Sequence, residues 1–223
     1  MIQAPVPLRP YASGFAVVLG FLATWIIAAE LVRPSPVSFP ADTGDARALQ
    51  NSMGTATTAW LGWPRGELWS DYAVTANSGL IVALNASGLS PANEHGNDVA
   101  EVAARLAPWN ARTWLLLALN AVAASNDPKA LALLKMSYYT SPYSDALFPV
   151  RIQVASRTPG ISDEELDSFA EYEIGVVVSQ KSDLKKFIAS AYRAASPAGR
   201  IFFDRALTKL DPGYLAELKA AKK

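Results

Sequence analysis

A long uncharged segment near the N-terminus constrains this chain more than any other feature. The stretch from Pro10 to Ala29 contains no charged residue. At about 1.5 Å per residue, a helix of this length reaches roughly 30 Å, which is enough to cross the hydrocarbon core of a bilayer. Tyr11 and Trp25 lie toward its two ends, where amphipathic rings favour the membrane interface. The segment predicts a transmembrane anchor at residues 10–32.

Two other interpretations of this segment stay open. A cleaved signal peptide would end in small residues, and residues 27–29 offer them. A buried core helix is the other, although the segment has no polar face. We favour an uncleaved anchor, because the apolar run exceeds that of a signal peptide and Arg9 is the only basic residue before it. Arg9 and Arg33 nearly balance across the membrane, and we expect a short cytoplasmic tail at residues 1–9 and an exported body.

Composition restricts the chemistry available to the rest of the chain. The 20 basic and 20 acidic residues cancel, so the chain has no general attraction for nucleic acid. There is no cysteine, which excludes disulfides, thiolate nucleophiles and cysteine metal sites. The sequence also lacks a glycine-rich phosphate loop, a GxSxG elbow and an HExxH pattern. We therefore predict no catalytic residue, no metal site and no cofactor.

The remainder of the sequence has a helical pattern. Three prolines within residues 33–42 predict an extended spacer that separates the anchor from the body. At residues 43–223, alanine and leucine recur at helical spacing, and the longest β-branched run is Val176–Val178. The pattern predicts an all-α fold, with a single transmembrane helix followed by a domain of helical hairpins.

One hairpin is best defined, between Pro108 and Pro142. Asn110 suits the N-cap of its first helix, and Asp127 suits the cap of its second. The two prolines are 34 residues apart, the period of the tetratricopeptide class of repeats. Large and small residues occupy the positions that such a repeat requires: Trp114, Leu117, Ala118, Ala130, Leu134 and Ser137. Residues 111–142 therefore resemble a single tetratricopeptide repeat.

The resemblance implies a binding function. Arrays of tetratricopeptide repeats generally bind extended peptides or partner helices along a concave face. In this chain that face would include Arg112, Leu115 and Leu119. The alternative is that adjacent helices bury the two leucines, because a lone repeat cannot cover its own core.

Several other side chains have two interpretations each. A tyrosine cluster at the end of the hairpin suits either recognition of a partner or packing at the turn: Tyr138, Tyr139 and Tyr143. A tryptophan cluster suits either packing, which we favour, or stacking on sugar or peptide: Trp60, Trp63 and Trp69.

Arg151, on an apolar helix, is expected to extend to water rather than hold a buried carboxylate. His95 is expected to be solvated in a loop, and the acidic residues from Asp163 to Glu173 to form a solvated face.

The anchor, the proline-rich spacer and the hairpin together resemble accessory proteins of bacterial cell-envelope assembly, including polysaccharide export and cytochrome maturation systems. The resemblance implies a scaffold or adaptor that binds a protein partner, anchored in the inner membrane with its body in the periplasm. Polysaccharide biosynthesis or export is the preferred context. Two other functions stay open: a periplasmic glycan-acting enzyme with convergent carboxylates, and a structural subunit of a larger membrane complex.

Overall fold

The computed structural model of the chain confirms the predicted all-α class. It describes residues 9–33, 37–40, 54–85, 91–158 and 163–220, and all regular secondary structure in these ranges is helical. A single 3-10 turn, Ser182–Leu184, precedes α10. In chain order the α-helices are α1 (Arg9–Val32), α2 (Thr55–Leu61), α3 (Gly66–Ala76), α4 (Ser78–Asn85), α5 (Glu94–Leu106), α6 (Ala111–Ala123), α7 (Asp127–Thr140), α8 (Phe148–Arg157), α9 (Glu164–Gln180), α10 (Lys185–Ala194), α11 (Pro197–Leu210) and α12 (Pro212–Ala220).

Helix α1 is long and apolar enough to cross a membrane. Its apolar window covers Ala12–Val32, and every side chain from Ala12 to Ala28 is exposed. Trp25 is 43% exposed. Tyr11 belongs to the same helix, but its side chain lies outside the described residues. The body meets α1 at its last turn, where Ala29 is buried.

An ion-pair network joins α1 to the body. Arg33 Nη2 lies 2.7 Å from Asp71 Oδ2 in α3, and Asp71 Oδ1 accepts a second hydrogen bond, of 3.2 Å, from Arg112 in α6. Arg112 also donates to the Val37 carbonyl at 2.7 Å. Val37 and Phe39, both in the predicted spacer, are buried in the core. Residues 37–40 of the predicted spacer therefore pack onto the body.

The predicted hairpin forms from α6 and α7. Asn110 caps α6 as predicted, because its side chain accepts a hydrogen bond from the Arg112 N–H. The cap of α7 is Asn126 rather than Asp127, since the Asn126 side chain reaches the Lys129 N–H and Asp127 already belongs to the first turn. Assignment of this hairpin to the tetratricopeptide class stays a prediction.

Buried amide side chains connect three helices of the first half. Asn77 is the C-cap residue of α3. The Asn120 side chain in α6 donates a hydrogen bond of 2.8 Å to Asn77 Oδ1. Asn77 in turn donates to the carbonyl of Gly96 in α5 at 2.9 Å. Both amides are buried, and their mutual bonds remove the cost of unpaired polar groups in the core. The network therefore holds α3, α5 and α6 in one arrangement.

Helix α8 is the central helix of the second half. Its residues from Phe148 to Ser156 are all buried, and it contacts α6, α7, α9, α10 and α11. Helix α11 crosses its end closely: a Cβ at Gly199 would lie 2.1 Å from the Ser156 carbonyl oxygen. The Ser196 N–H and hydroxyl both donate to that oxygen, at 3.0 and 3.1 Å. Only glycine allows this approach.

Gly199→Ala is expected to lower the free energy of unfolding by about 1–3 kcal/mol, because its methyl group would overlap the Ser156 carbonyl. Gly175→Ala in α9 is the matched control, since its Cβ would meet Leu210 at an ordinary 3.5 Å. Higher helix propensity should stabilise that variant by up to about 1 kcal/mol. Thermal unfolding in detergent, followed by circular dichroism, should therefore shift in opposite directions. Shifts of the same sign and size would contradict the close crossing.

Candidate partner-binding surface

The buried side chain of Arg151 binds α7 and α9, and the predicted tyrosine cluster lies in α7 and just after it. Arg151 in α8 has no exposed surface, so the expectation that it extends to water is wrong. Its Nη1 donates to Glu173 Oε1 in α9 at 3.1 Å. Its Nε donates to Ser137 Oγ in α7 at 3.1 Å, and its Nη2 donates to the Ser141 carbonyl at 2.8 Å. The guanidinium does not extend to water because α7, its C-cap residue Ser141 and α9 supply its hydrogen-bond partners.

Tyr138 completes this buried cluster. Its hydroxyl donates to Glu173 Oε2 at 2.9 Å, and its ring lies 4.5 Å from the Arg151 guanidinium carbon and stacks on Phe169 at 5.2 Å. Burial raises the pKa of Glu173 to about 7, because desolvation outweighs the attraction of Arg151 and the hydrogen bond from Tyr138. Burial also raises the pKa of Tyr138 well above its ordinary value. Tyr138 therefore packs in the core and is not available to a partner.

Tyr139, by contrast, is half exposed at the surface of the same helix. Its ring packs edge-on against Phe169 at 5.9 Å, and its hydroxyl donates to Glu165 at 2.6 Å. That hydrogen bond and the Lys135 ammonium lower the pKa of the Glu165 carboxyl. Lys135 also pairs with Asp163 at 2.7 Å. Tyr139 is thus held in a fixed position beside a small group of paired charges.

Tyr143 and Tyr172 form a second exposed aromatic contact, four residues after Tyr139 and three residues after Phe169 in the chain. Tyr143 lies between α7 and α8 and is 69% exposed, whereas Tyr172 lies in α9 and is 52% exposed. Their ring centroids are 4.9 Å apart. A small cavity of about 30 Å³ lies against both rings and reaches Glu173. We call Tyr139, Tyr143 and Tyr172 the tyrosine face.

A surface groove continues from the tyrosine face toward α11. It has a volume of about 670 Å³ and is lined by polar and apolar side chains, which include those of Tyr172, Val176, Gln180, Lys209 and Leu210. The groove is shallow and open to solvent. An extended chain segment could lie along it while contacting Tyr172 at one end.

The residues assigned to a concave face lie elsewhere. Leu115 and Leu119 have no exposed surface, because α6 is covered by its neighbouring helices, as the alternative predicts. Arg112 is occupied by Asp71 and the Val37 carbonyl, close to the point where α1 meets the body. The structure therefore does not bring these three residues to a common surface with the tyrosines.

Two important residues of α9 are missed by sequence reasoning. Glu173 was expected on a solvated acidic face, yet it is buried. Its position could have been found, because it falls on the helical stripe formed by Leu166, Ala170, Ile174 and Val177, all of which are buried. Tyr172 carries no such signal, since its pairing with Tyr143 arises only when α9 packs beside the end of α7.

The single histidine differs slightly from its predicted setting. His95 is exposed, as expected, but it lies in the first turn of α5 rather than in a loop. Its Nε2 is 2.8 Å from the Tyr72 hydroxyl. Within the described ranges, no group of three or more histidine, aspartate or glutamate side chains could hold a metal ion.

The raised pKa of Glu173 makes stability depend on pH. Between its ordinary pKa of 4.5 and its folded value of about 7, the native state binds a proton that the unfolded chain has lost. This contribution to stability is complete below pH 4.5 and disappears as the pH rises through about 7. The amide of Glu173→Gln does not titrate. The unfolding temperature of wild type minus that of Glu173→Gln should therefore decrease as the pH rises from 4.5 to about 7. A constant or rising difference would contradict the raised pKa.

Comparisons with protein-family models, with curated proteins and with solved structures found no match for this chain. Both resemblances, to the tetratricopeptide class and to envelope-assembly accessories, therefore stay predictions.

Proposed function

We propose that this protein is a single-pass, membrane-tethered helical adaptor that binds a segment of a protein partner on its tyrosine face. The observation that carries the proposal is the exposure of three tyrosines along α7, its end and α9: Tyr139, Tyr143 and Tyr172 are each at least half exposed. Tyrosine is favoured in binding surfaces because its ring provides a large contact area at a small cost in side-chain entropy.

The buried Arg151 cluster supports this proposal by making the tyrosine face rigid. Arg151 of α8 binds Ser137 in α7 and Glu173 in α9, and these two helices carry Tyr139 and Tyr172. The Phe169 ring also packs edge-on against the Tyr139 ring. A partner that binds here would order few side chains, and preorganisation of this kind favours affinity.

The surroundings of the face indicate what the partner segment would offer. Lys135 beside Tyr139 pairs with both Asp163 and Glu165, so this group of three side chains carries one net negative charge. The groove beyond Tyr172 mixes apolar surface with the polar ends of Gln180 and Lys209. A segment with apolar or aromatic anchors and hydrogen-bonding groups, rather than one of high charge, suits this surface.

Tethering gives the adaptor its effect in this proposal. A helix that spans the membrane concentrates the body near partners in the same membrane, so that modest affinity suffices for binding. We place the anchor in the bacterial inner membrane and the body in the periplasm, in cell-envelope assembly with polysaccharide biosynthesis or export as the preferred context. The apolar helix α1 and the resemblance described above support this part of the proposal.

The arrangement of the buried carboxylates favours the adaptor over a glycan-acting enzyme. Such an enzyme needs two carboxylates that face one bond of the substrate. Among the described residues, the two buried carboxylates are those of Asp71 and Glu173. They lie in separate clusters: Asp71 binds Arg33 and Arg112, whereas Glu173 binds Arg151.

Photocrosslinking in native membranes tests the proposal. Benzoylphenylalanine in place of Tyr143 or Tyr172 should capture the same protein from both positions, because the two rings are in contact. Ile201 in α11 is the control, since it is 71% exposed but lies outside the tyrosine face. Once the partner is identified, Tyr143→Ala and Tyr172→Ala should each weaken its binding roughly tenfold or more.

The outcomes separate the proposal from its alternatives. No capture from Tyr143 and Tyr172, or capture of the same protein from Ile201 with equal yield, would overturn it. A fourth probe at Trp25 reports on the anchor. Capture from Trp25 alone would instead indicate a subunit held in a complex through its membrane helix.

A further inference from the structure

Two exposed tryptophans lie where the body meets the membrane helix. Trp60, near the end of α2, is 61% exposed, and Trp63, in the turn before α3, is 55% exposed. Their rings lie 6.0 Å apart in a stacked arrangement. Both rest on the buried ring of Trp69, at 5.2 and 6.1 Å, and the Trp69 indole N–H donates to the Trp63 carbonyl at 3.1 Å. The pair is thus a fixed feature with one face on the core and the other open.

Contacts with the last turn of α1 set the position of this pair. The Thr58 hydroxyl lies 3.5 Å from the Val32 carbonyl, two residues before Trp60. The Arg65 guanidinium lies 2.6 Å from the Glu30 carboxylate, two residues after Trp63. Both tryptophans are therefore bracketed by residues that touch the end of the membrane helix.

The same contacts set the depth of the pair relative to a bilayer. Side chains from Ala12 to Ala28 of α1 are exposed and apolar in character, as lipid contact requires. Burial by the body begins at Ala29, and the first charged residue of the described helix after that is Glu30. The membrane surface on this side thus falls at the last turn of α1, the turn that α2 touches.

We propose that Trp60 and Trp63 insert into the headgroup region of the bilayer that α1 spans, and so form a second membrane contact of the body. Tryptophan suits this position because its apolar ring enters the boundary of the acyl chains while its indole N–H stays near polar groups. The occupant of the open face is thus lipid. This inference rests on the membrane anchoring by α1 that is part of the proposed function.

A second contact has a consequence for orientation. A body joined to one membrane helix can still tilt against the membrane plane together with that helix, whereas a second contact through Trp60 and Trp63 limits the tilt. The ion pairs of Arg33 and Arg65 at the same joint transmit that orientation to α3. The tyrosine face, which lies on helices farther along the chain, would then keep a constant angle to the membrane plane.

Spin labels at single cysteines test this inference, since the chain has no native cysteine. Labels are placed on Trp60→Cys, Trp63→Cys, Leu22→Cys in the anchor and Tyr143→Cys on the body. The full chain is reconstituted in vesicles of phosphatidylcholine and phosphatidylglycerol. Electron paramagnetic resonance then compares collisions of each label with oxygen, which enters lipid, and with a nickel chelate, which stays in water.

The expected result is an intermediate depth for the tryptophan positions. Their ratio of oxygen to nickel collisions should exceed that of Tyr143→Cys several-fold and stay below that of Leu22→Cys. If both match Tyr143→Cys while Leu22→Cys is in lipid, the inference is wrong and the anchoring stands. If Leu22→Cys is itself in water, the anchoring fails, and the inference fails with it.

A further measurement tests whether the rings themselves hold the body at the membrane. A label on Thr57→Cys, an exposed position in α2, reports depth while both tryptophans are retained. Replacing them in Trp60→Ser/Trp63→Ser should lower its ratio of oxygen to nickel collisions toward that of Tyr143→Cys. Circular dichroism checks that the helices persist, and an unchanged ratio in the folded variant would contradict an anchoring role for the rings.

Discussion

Arg151 and Glu173 are ionisable groups enclosed among apolar helices, and the second half of the body depends on their contact. Removal of a charge from water is costly unless the charge is paired and its hydrogen-bonding atoms find partners. Each of the three guanidinium nitrogens has a partner here, supplied by Glu173, Ser137 and the Ser141 carbonyl. Tyr138 occupies the other oxygen of Glu173. Since these bonds form in only one arrangement of α7, α8 and α9, the cluster defines the surface that those helices present.

A similar principle governs the joint between the body and the apolar helix α1. Asp71 is buried, and its two oxygens bind Arg33 from the end of α1 and Arg112 from the hairpin. One carboxylate thus connects α1 to the body across three parts of the chain. A flexible tether would leave the body free to turn, whereas this joint couples its orientation to that of α1.

The exposed tyrosine and tryptophan rings are supported in a similar way. Tyr139 stands on Phe169, and Trp60 and Trp63 stand on the buried Trp69. In each case a ring that packs on the core, partly buried Phe169 or buried Trp69, fixes the position of an exposed one, so little side-chain entropy is lost when a ligand covers it. The proposals assign lipid to the tryptophans, beside α1, and a protein segment to the tyrosines, on α7 and α9. A protein that links a membrane to a partner requires both surfaces.

Sequence alone determined the helical class, the apolar helix α1 and the hairpin of α6 and α7, because periodicity, caps and an unbroken apolar run are local properties of the chain. It could not decide which polar residues are enclosed. Arg151 and Glu173 are 22 residues apart, and Arg33 and Asp71 are 38 apart, so their pairing depends on how helices pack. The exposure of Tyr143 and Tyr172, and the burial of Leu115 and Leu119, were decided in the same way. Burial is a property of the neighbours that the tertiary structure supplies, and a single helix does not specify its neighbours.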